Sequence, residues 1–267
     1  MEYIKNHKVN MKVRLYNAAL VYTNECSLTV SSENETIIIP ENTIIFFERN
    51  IRFNVLITKN DTSKYMEIIT IDNDVLSKII KVMDPLYDFN SIQLTEKRGL
   101  LQKTFIISGG DISLSLFKSI KELEICNKTI YKLACLFSSV PDESAMFSSL
   151  CISASISFSD NIRKTISNNL EKKWKLSDIS KEVNISEITI RKRLENEGLT
   201  FQQLLLDVRM NYAARLLLDS DIYIENVSRR IGISSSSYFI KLFSQYYGIT
   251  PKQFYLYHKS QCRGLRY

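Results

Sequence analysis

The C-terminal part of this chain spells one short pattern twice. Leu176, Ile179 and Val183 form an apolar helical face, Asn184-Ile185-Ser186 a turn, and Ile190 and Leu194 resume the face. Ile224, Val227 and Ile231, then Gly232-Ile233-Ser234, then Phe239 and Phe243 repeat it. The offset between copies is 48 through the first helix and turn, 49 in the second helix and 50 at Gly198 and Gly248. Both copies close alike, on Gly-Leu-Thr-Phe-Gln-Gln-Leu (198–204) and Gly-Ile-Thr-Pro-Lys-Gln-Phe (248–254).

A helix, a tight turn holding an apolar residue, and a second helix describe a helix-turn-helix. Ile185 and Ile233 pin the paired helices, while Asn184 and Gly232 occupy a position that commonly demands left-handed backbone. Ser186 is the expected cap of the second helix, leaving its first turn at the surface where a recognition helix enters a major groove. A plain helical hairpin in a bundle is the competing reading of one copy; two copies with matching turns argue against it. The units fall near 176–197 and 224–247. Between them Phe201, Leu204, Leu205, Val208, Tyr212 and Leu216 mark one amphipathic linker helix near 201–218, capped by Thr200 and about 27 Å long. Such a rod can hold two recognition helices about one duplex turn, roughly 34 Å, apart.

The two recognition helices offer different chemistry. In the first, Glu187, Ile188, Arg191, Lys192 and Glu195 lie opposite the apolar face behind the Ser186 cap. Arg191 and Lys192 suit guanine O6 and N7 or phosphate, and Ile188 suits a thymine methyl. The second presents Ser234, Ser235, Ser236 and Ser237, with Tyr238, Ile240 and Lys241. Its hydroxyls and helix N-terminus suit phosphate more than base edges. Charge supports a polyanionic partner. Residues 158–267 carry 18 Lys+Arg against 11 Asp+Glu, whereas residues 1–157 carry 17 against 18. The switch near residue 158 marks a boundary between two domains, 1–157 and 158–267.

The N-terminal part has a different period. Segments 11–16, 19–21, 27–30, 36–39, 43–47, 52–57 and 67–71 are rich in Val, Ile, Thr, Phe and Tyr and separated by short polar turns. That spacing predicts an antiparallel barrel or jelly roll. Helical spacing follows: a stripe of Val75, Ile79, Val82 and Met83 before Pro85, then residues 111–123 and 129–157 read as helices, with 89–103 a polar loop. Ile130, Leu133, Leu136 and Phe137 make a stripe expected to serve both the barrel and a partner subunit. Ser159 is the expected cap of the first C-terminal helix, which ends near Trp174.

Several function classes are excluded. Two histidines leave no material for a His-based metal site or a Ser–His triad. Five cysteines, an odd number with no C-x-x-C spacing, read as reduced thiols rather than disulfides or zinc ligands. An enzyme with an appended DNA-binding module, such as a repair methyltransferase, needs a reactive thiol in a cationic niche, and none here sits in such a motif. The chain is therefore expected not to be an enzyme, and to need no cofactor or metal. No apolar run reaches the ~18–20 residues of a bilayer span and no signal peptide opens the chain, so a cytoplasmic protein without membrane contact is expected.

Residues 158–258 resemble the AraC/XylS family of bacterial transcription regulators. The likeness rests on Ile231-Gly232-Ile233, Ser237-Tyr238-Phe239, Phe243, Tyr247-Gly248-Ile249-Thr250-Pro251 and Phe254. Over the whole chain it extends to the family's enteric virulence-activator branch, VirF-type nearest and Rns- and ToxT-type further off. Lys12 to Leu15, Cys26 to Thr36, Phe47 to Asn50, Glu96 to Gly99, Leu116 to Lys121, Ser157 to Asp160 and Ile188 to Glu195 carry it. The resemblance implies an α+β chain: an N-terminal cupin-like β-barrel with a helical dimerisation segment, and a C-terminal all-α double helix-turn-helix domain. It implies a homodimer that binds double-stranded DNA, works with RNA polymerase and activates virulence-associated genes.

Some relatives hold a fatty acid in the N-terminal barrel through basic side chains. The matching positions here are Tyr16 and Thr70, with a third near Tyr223, none of them cationic, so that site does not carry over residue by residue. Arg14 beside Tyr16 is the remaining candidate for a fatty acid or bicarbonate effector, and a ligand-gated sensor is the alternative reading. Lys12, Arg49 and Arg52 are neighbouring strand cations that read as solvent-facing charges. Finally, 34 Ile against 7 Ala reflects AT-rich codons and fits a regulator of AT-rich promoters.

Overall fold

The computed structural model describes residues 7–59, 66–87, 98–107, 110–122, 126–219 and 223–262, without the side chains of His7, Asp219 and 258–262. It divides into two compact units, Met1–Ser155 and Ile156–Tyr267.

The first unit begins with seven strands: β1 (His7–Leu15), β2 (Ala18–Thr23), β3 (Cys26–Ser32), β4 (Glu35–Ile39), β5 (Thr43–Phe47), β6 (Ile51–Lys59) and β7 (Met66–Ile71). An eighth, β8 (Thr104–Ile107), lies just past the segment read as a loop, of which 89–97 is outside the described residues. They form two antiparallel four-stranded sheets, ordered β1-β6-β3-β4 and β7-β2-β5-β8. The expected antiparallel barrel or jelly roll takes the form of a cupin-like pair of packed sheets. No ladder among the described strands joins one sheet to the other, and ring stacking of Phe47 on Phe53 at 5.1 Å joins them face to face.

Burial follows from this layering. In β6 every second residue is buried (Ile51, Phe53, Val55, Ile57), because only one face of its sheet is covered. All six residues of β2 are buried, because helices cover the other face of its sheet. Those helices are α1 (Asn73–Met83), α2 (Asp111–Lys121), α3 (Asn127–Phe137) and α4 (Glu143–Ala154). Pro141 and the Asp142 cap, whose carboxylate accepts the Ala145 N–H at 2.9 Å, separate α3 from α4. Ile130, Leu133, Leu136 and Phe137 are all buried in this unit's own core, beside Leu20, Phe46 and Leu76. The stripe expected to reach a partner is thus used up within the subunit, and α3 turns Tyr131 and Cys135 outward.

Buried polar groups fasten the sheets to the helices. Glu48 accepts from the Ser149 hydroxyl at 2.6 Å and pairs with Arg98. Arg49 donates to the Ser155 carbonyl at 2.7 Å, beyond the end of α4. Glu35 takes the N–H groups of Leu100 and Leu101, and a Cβ on Gly99 would collide with its carboxylate. These stretches carried part of the family likeness, and their chemistry is structural.

The second unit is helical: α5 (Phe158–Ser167), α6 (Leu176–Val183), α7 (Glu187–Asn196), α8 (Phe201–Asp219), α9 (Ile224–Arg230), α10 (Ser236–Tyr247) and α11 (Pro251–Cys262). The cap of α5 is Ser157, in a capping box with Asp160, and not Ser159, which is buried inside the first turn. The helix stops at Ser167 rather than near Trp174, whose indole N–H donates to the Asn169 carbonyl at 2.7 Å. Helix α8 is not simply amphipathic. Leu204, Met210, Ala213, Leu217 and even Asp207 are buried, because α5 packs on it from one half of the unit and α9 and α11 from the other.

Candidate nucleic-acid interface

Both turns are built by the same bonds. Asn184 ends α6 at φ 53° and Gly232 follows α9 at φ 72°, each left-handed. The Ile185 N–H donates to the Ser180 carbonyl at 3.2 Å, and the Ile233 N–H to the Ser228 carbonyl at 2.9 Å. Each copy then closes on a left-handed glycine, Gly198 or Gly248, and a capping box. Thr200 and Gln203 cap α8 reciprocally at 3.2 and 3.0 Å; Thr250 and Gln253 do the same for α11 at 3.2 and 2.9 Å.

The copies part company at the recognition helices. Ser186 caps α7, its hydroxyl accepting the Thr189 N–H at 3.2 Å. In the second copy the cap is Ser235, accepting from the Tyr238 N–H at 3.2 Å. Ser234 is the extra residue that lengthens the offset from 48 to 49, and it stands exposed in the turn.

Ile190 and Leu194 anchor α7 in the core. On the outward side Ile188 is 79% exposed. Arg191 and Lys192 are exposed beside it, Arg191 loosely paired with Glu187 at 3.6 Å. Glu195 is exposed on the same helix. Arg193 points elsewhere, its guanidinium over the Phe158 ring. Helix α10 is anchored by Phe239, Phe243 and Tyr247, with Phe254 of α11 edge-on to Phe243 at 5.4 Å. Its outward side carries Ser237, Tyr238 and Lys241, while Ser236 is half-buried against Ser228 at 3.4 Å. The structure therefore brings most residues of each recognition helix to one exposed face; Glu187, Ser236 and Ile240 are half-buried, and the Ser186 and Ser235 hydroxyls are engaged as caps.

Two positioning groups escaped the sequence reading. Gly232 lies against the turn that follows α5: a Cβ there would sit 2.7 Å from the Leu170 carbonyl oxygen, 3.0 Å from that of Glu171 and 2.9 Å from the Arg209 guanidinium. Arg209, on α8, donates to the Lys172 carbonyl at 3.2 Å, and burial lowers its pKa from the usual arginine value. Asp207, also on α8, accepts from the Tyr246 hydroxyl of α10 at 3.0 Å. Burial, then the neighbouring Tyr246 and Asp207, hold the Tyr247 phenol well above its ordinary pKa. The available signal was a carboxylate and a guanidinium inside the apolar run of the linker helix.

The candidate effector residues lie elsewhere. Arg14 points outward from β1 with its guanidinium 5.0 Å from the Tyr16 ring centroid, opposite Arg52 of β6. Thr70 is exposed on β7, and Tyr223, at the start of α9, is 81% exposed.

Residues 179–255 match the family model described as a helix-turn-helix domain. The chain is 55% identical to the virulence regulon transcriptional activator VirF of Shigella flexneri, over 95% of this chain and 97% of that protein. The chain belongs to the AraC/XylS family. The fold is shared with ToxT of Vibrio cholerae at 14% identity, TM-score 0.70, over 94% of this chain and 98% of that one. A second ToxT structure, described as bound to an unsaturated fatty acid, aligns with TM-score 0.64 at 16% identity, over 95% and 92%. This member of the family is accordingly a helix-turn-helix DNA-binding protein and a transcriptional activator of the enteric virulence group. No described helix is long and apolar enough to cross a membrane, and the described residues contain no cluster of three or more metal-ligating side chains.

Proposed function

We propose that the two helix-turn-helix units read AT-rich virulence promoters with divided labour. Helix α7 discriminates bases through Arg191, Lys192 and Ile188, and the second unit holds phosphate through Ser234 of its turn and Ser237 and Lys241 of α10. The observation that carries this is the outward trio on α7, two cations and an exposed isoleucine, displayed from a turn whose left-handed residue and backbone bond recur in the second copy. Guanidinium and ammonium donors distinguish guanine, and an exposed aliphatic group suits a thymine methyl. Hydroxyls beside one lysine fix register along the backbone with little sequence information.

The rest of the reading follows the same architecture. Residues 158–267 act as the DNA-binding domain, residues 1–157 dimerise the chain through the outward face of α3 around Tyr131, and the DNA-bound dimer engages RNA polymerase in the cytoplasm. Footprinting on AT-rich promoters, with wild type beside Arg191→Ala, tests the core of it. Protection lost at specific sites while random duplex is still bound supports the assignment; unchanged protection refutes it. Tyr131→Glu that leaves the sedimentation coefficient unchanged rejects the α3 interface. Gating by a fatty acid or bicarbonate is not preferred, because Arg14 stacks on Tyr16 on the outer side of its sheet.

A further inference from the structure

Among the described residues, the outward positions of the first sheet's strands carry cations and no acid. Alternation along β1, β6, β3 and β4 turns Val9, Met11, Phe53, Val55, Leu28, Val30, Ile37 and Ile39 inward, and all are buried. The residues between them form cross-strand rows on the other side. Lys8 stands opposite Thr58, which faces Ser27; Lys12 stands opposite Asn54, which faces Ser31; Arg14 stands opposite Arg52. No outward position of these four strands carries Asp or Glu, although residues 1–157 as a whole hold 18 acids against 17 bases. Lys8, Lys12 and Arg52 are exposed, and none has an ion-pair partner among the described residues. Lys8 to Arg14 spans about 20 Å of one strand.

We infer that this face is a second, sequence-independent contact for the phosphate backbone of duplex DNA beyond the stretch held by the helix-turn-helix units. The inference rests on the DNA-binding reading above. Charge complementarity selects the occupant: lysine and arginine beside serine, threonine and asparagine donors is the set that duplex backbones meet. A protein partner fits poorly, since the outward strand positions carry no aromatic residue and only Leu56 and Ile38 as apolar members, with Tyr16 at the edge already stacked under Arg14, where protein interfaces centre on aromatic and aliphatic anchors.

The test uses the full chain, wild type against Lys8→Gln/Lys12→Gln/Arg52→Gln, on a duplex covering only the specific site and on one with long flanks. Arg14 is left in place because it stacks on Tyr16. Three phosphate contacts predict that the triple variant loses about 2.7 units of salt slope on the long duplex and almost none on the short one. Its preference for cognate over scrambled sequence and its unfolding midpoint stay at wild-type values. Equal slopes for both proteins on the long duplex overturn the inference. Equal slopes with lost transcription by added RNA polymerase overturn it too, and give the face to an acidic protein surface. Arg191→Ala runs in parallel: if it keeps full cognate preference, the helix-turn-helix assignment fails on its own account, whatever the triple variant does.

Discussion

In the first helix-turn-helix unit the left-handed residue of the turn is an exposed asparagine; in the second it is a glycine with carbonyl oxygens and a guanidinium where a Cβ would go. The turns share φ and hydrogen bonds and differ in what they lean on. Asparagine tolerates left-handed backbone, so the first turn needs nothing smaller. Gly232 serves two purposes, since the second unit can meet the 170–172 turn and Arg209 only if no side chain intervenes. The first turn stands exposed at that position, whereas the second is held against the 170–172 turn and Arg209.

Gly232→Ala tests that contrast with the largest expected effect. Left-handed backbone costs an alanine about 1–2 kcal/mol. Displacing two carbonyls and a guanidinium adds about 1–3 kcal/mol. Asn184→Ala meets only the first cost. Urea unfolding of the two variants beside wild type measures the difference. If they lose equal stability, the close approach is not what requires glycine.

Next comes the tie between α8 and α10. Tyr246→Phe removes a hydroxyl donated to the buried Asp207, which is worth about 1.5–3 kcal/mol for a bond to a charged acceptor. The loss should appear first in the second unit, as faster amide exchange along α10 with α7 unchanged. Uniform loosening of both recognition helices contradicts the picture of two units fastened separately to α8.

The division of labour comes third. Arg191→Ala and Lys192→Ala should each cost about 1–3 kcal/mol on cognate duplex and little on scrambled duplex. Lys241→Ala should weaken both and lower the salt slope by about one. Equal losses on both duplexes for the α7 variants would mean that they too only hold phosphate.

How much of this was legible follows from which interactions are local. The turn residues, the Ser186 and Thr200 caps and all seven strands before α1 are written in short-range pattern; the turns and caps stand where the pattern put them, and each strand overlaps its expected segment, β1 starting four residues earlier. What stayed hidden depends on contacts distant in sequence. The burial of Ile130 to Phe137 within one subunit and the two-sided burial of α8 depend on what packs against each element. Ser159 looked like a cap because it precedes the apolar periodicity, yet Ser157 wins by sharing a box with Asp160. The outward trio on α7 was readable because Ile190 and Leu194 fix the phase of that helix. Asp207 and Arg209 were not, because nothing local says that Tyr246 and Lys172 will meet them.

The smallest effect concerns the one-residue difference between the turns. By the 48-residue offset of the turn, Ser234 corresponds to Ser186 and is the natural candidate for a cap. The hydroxyl that accepts the third helical N–H is instead that of Ser235, because the second turn inserts one residue before its helix starts. A serine N-cap replaced by alanine costs about 1 kcal/mol, whereas an exposed turn serine without such a bond costs a few tenths at most. Ser186→Ala and Ser235→Ala should therefore each lower stability by about 1 kcal/mol, and Ser235→Ala should speed exchange of the Tyr238 amide. Ser234→Ala should leave stability unchanged and weaken DNA binding alone, since its hydroxyl is free for phosphate. If Ser234→Ala destabilises the chain as much as Ser235→Ala, the turns are the same length in solution and the extra residue is accommodated further along α10.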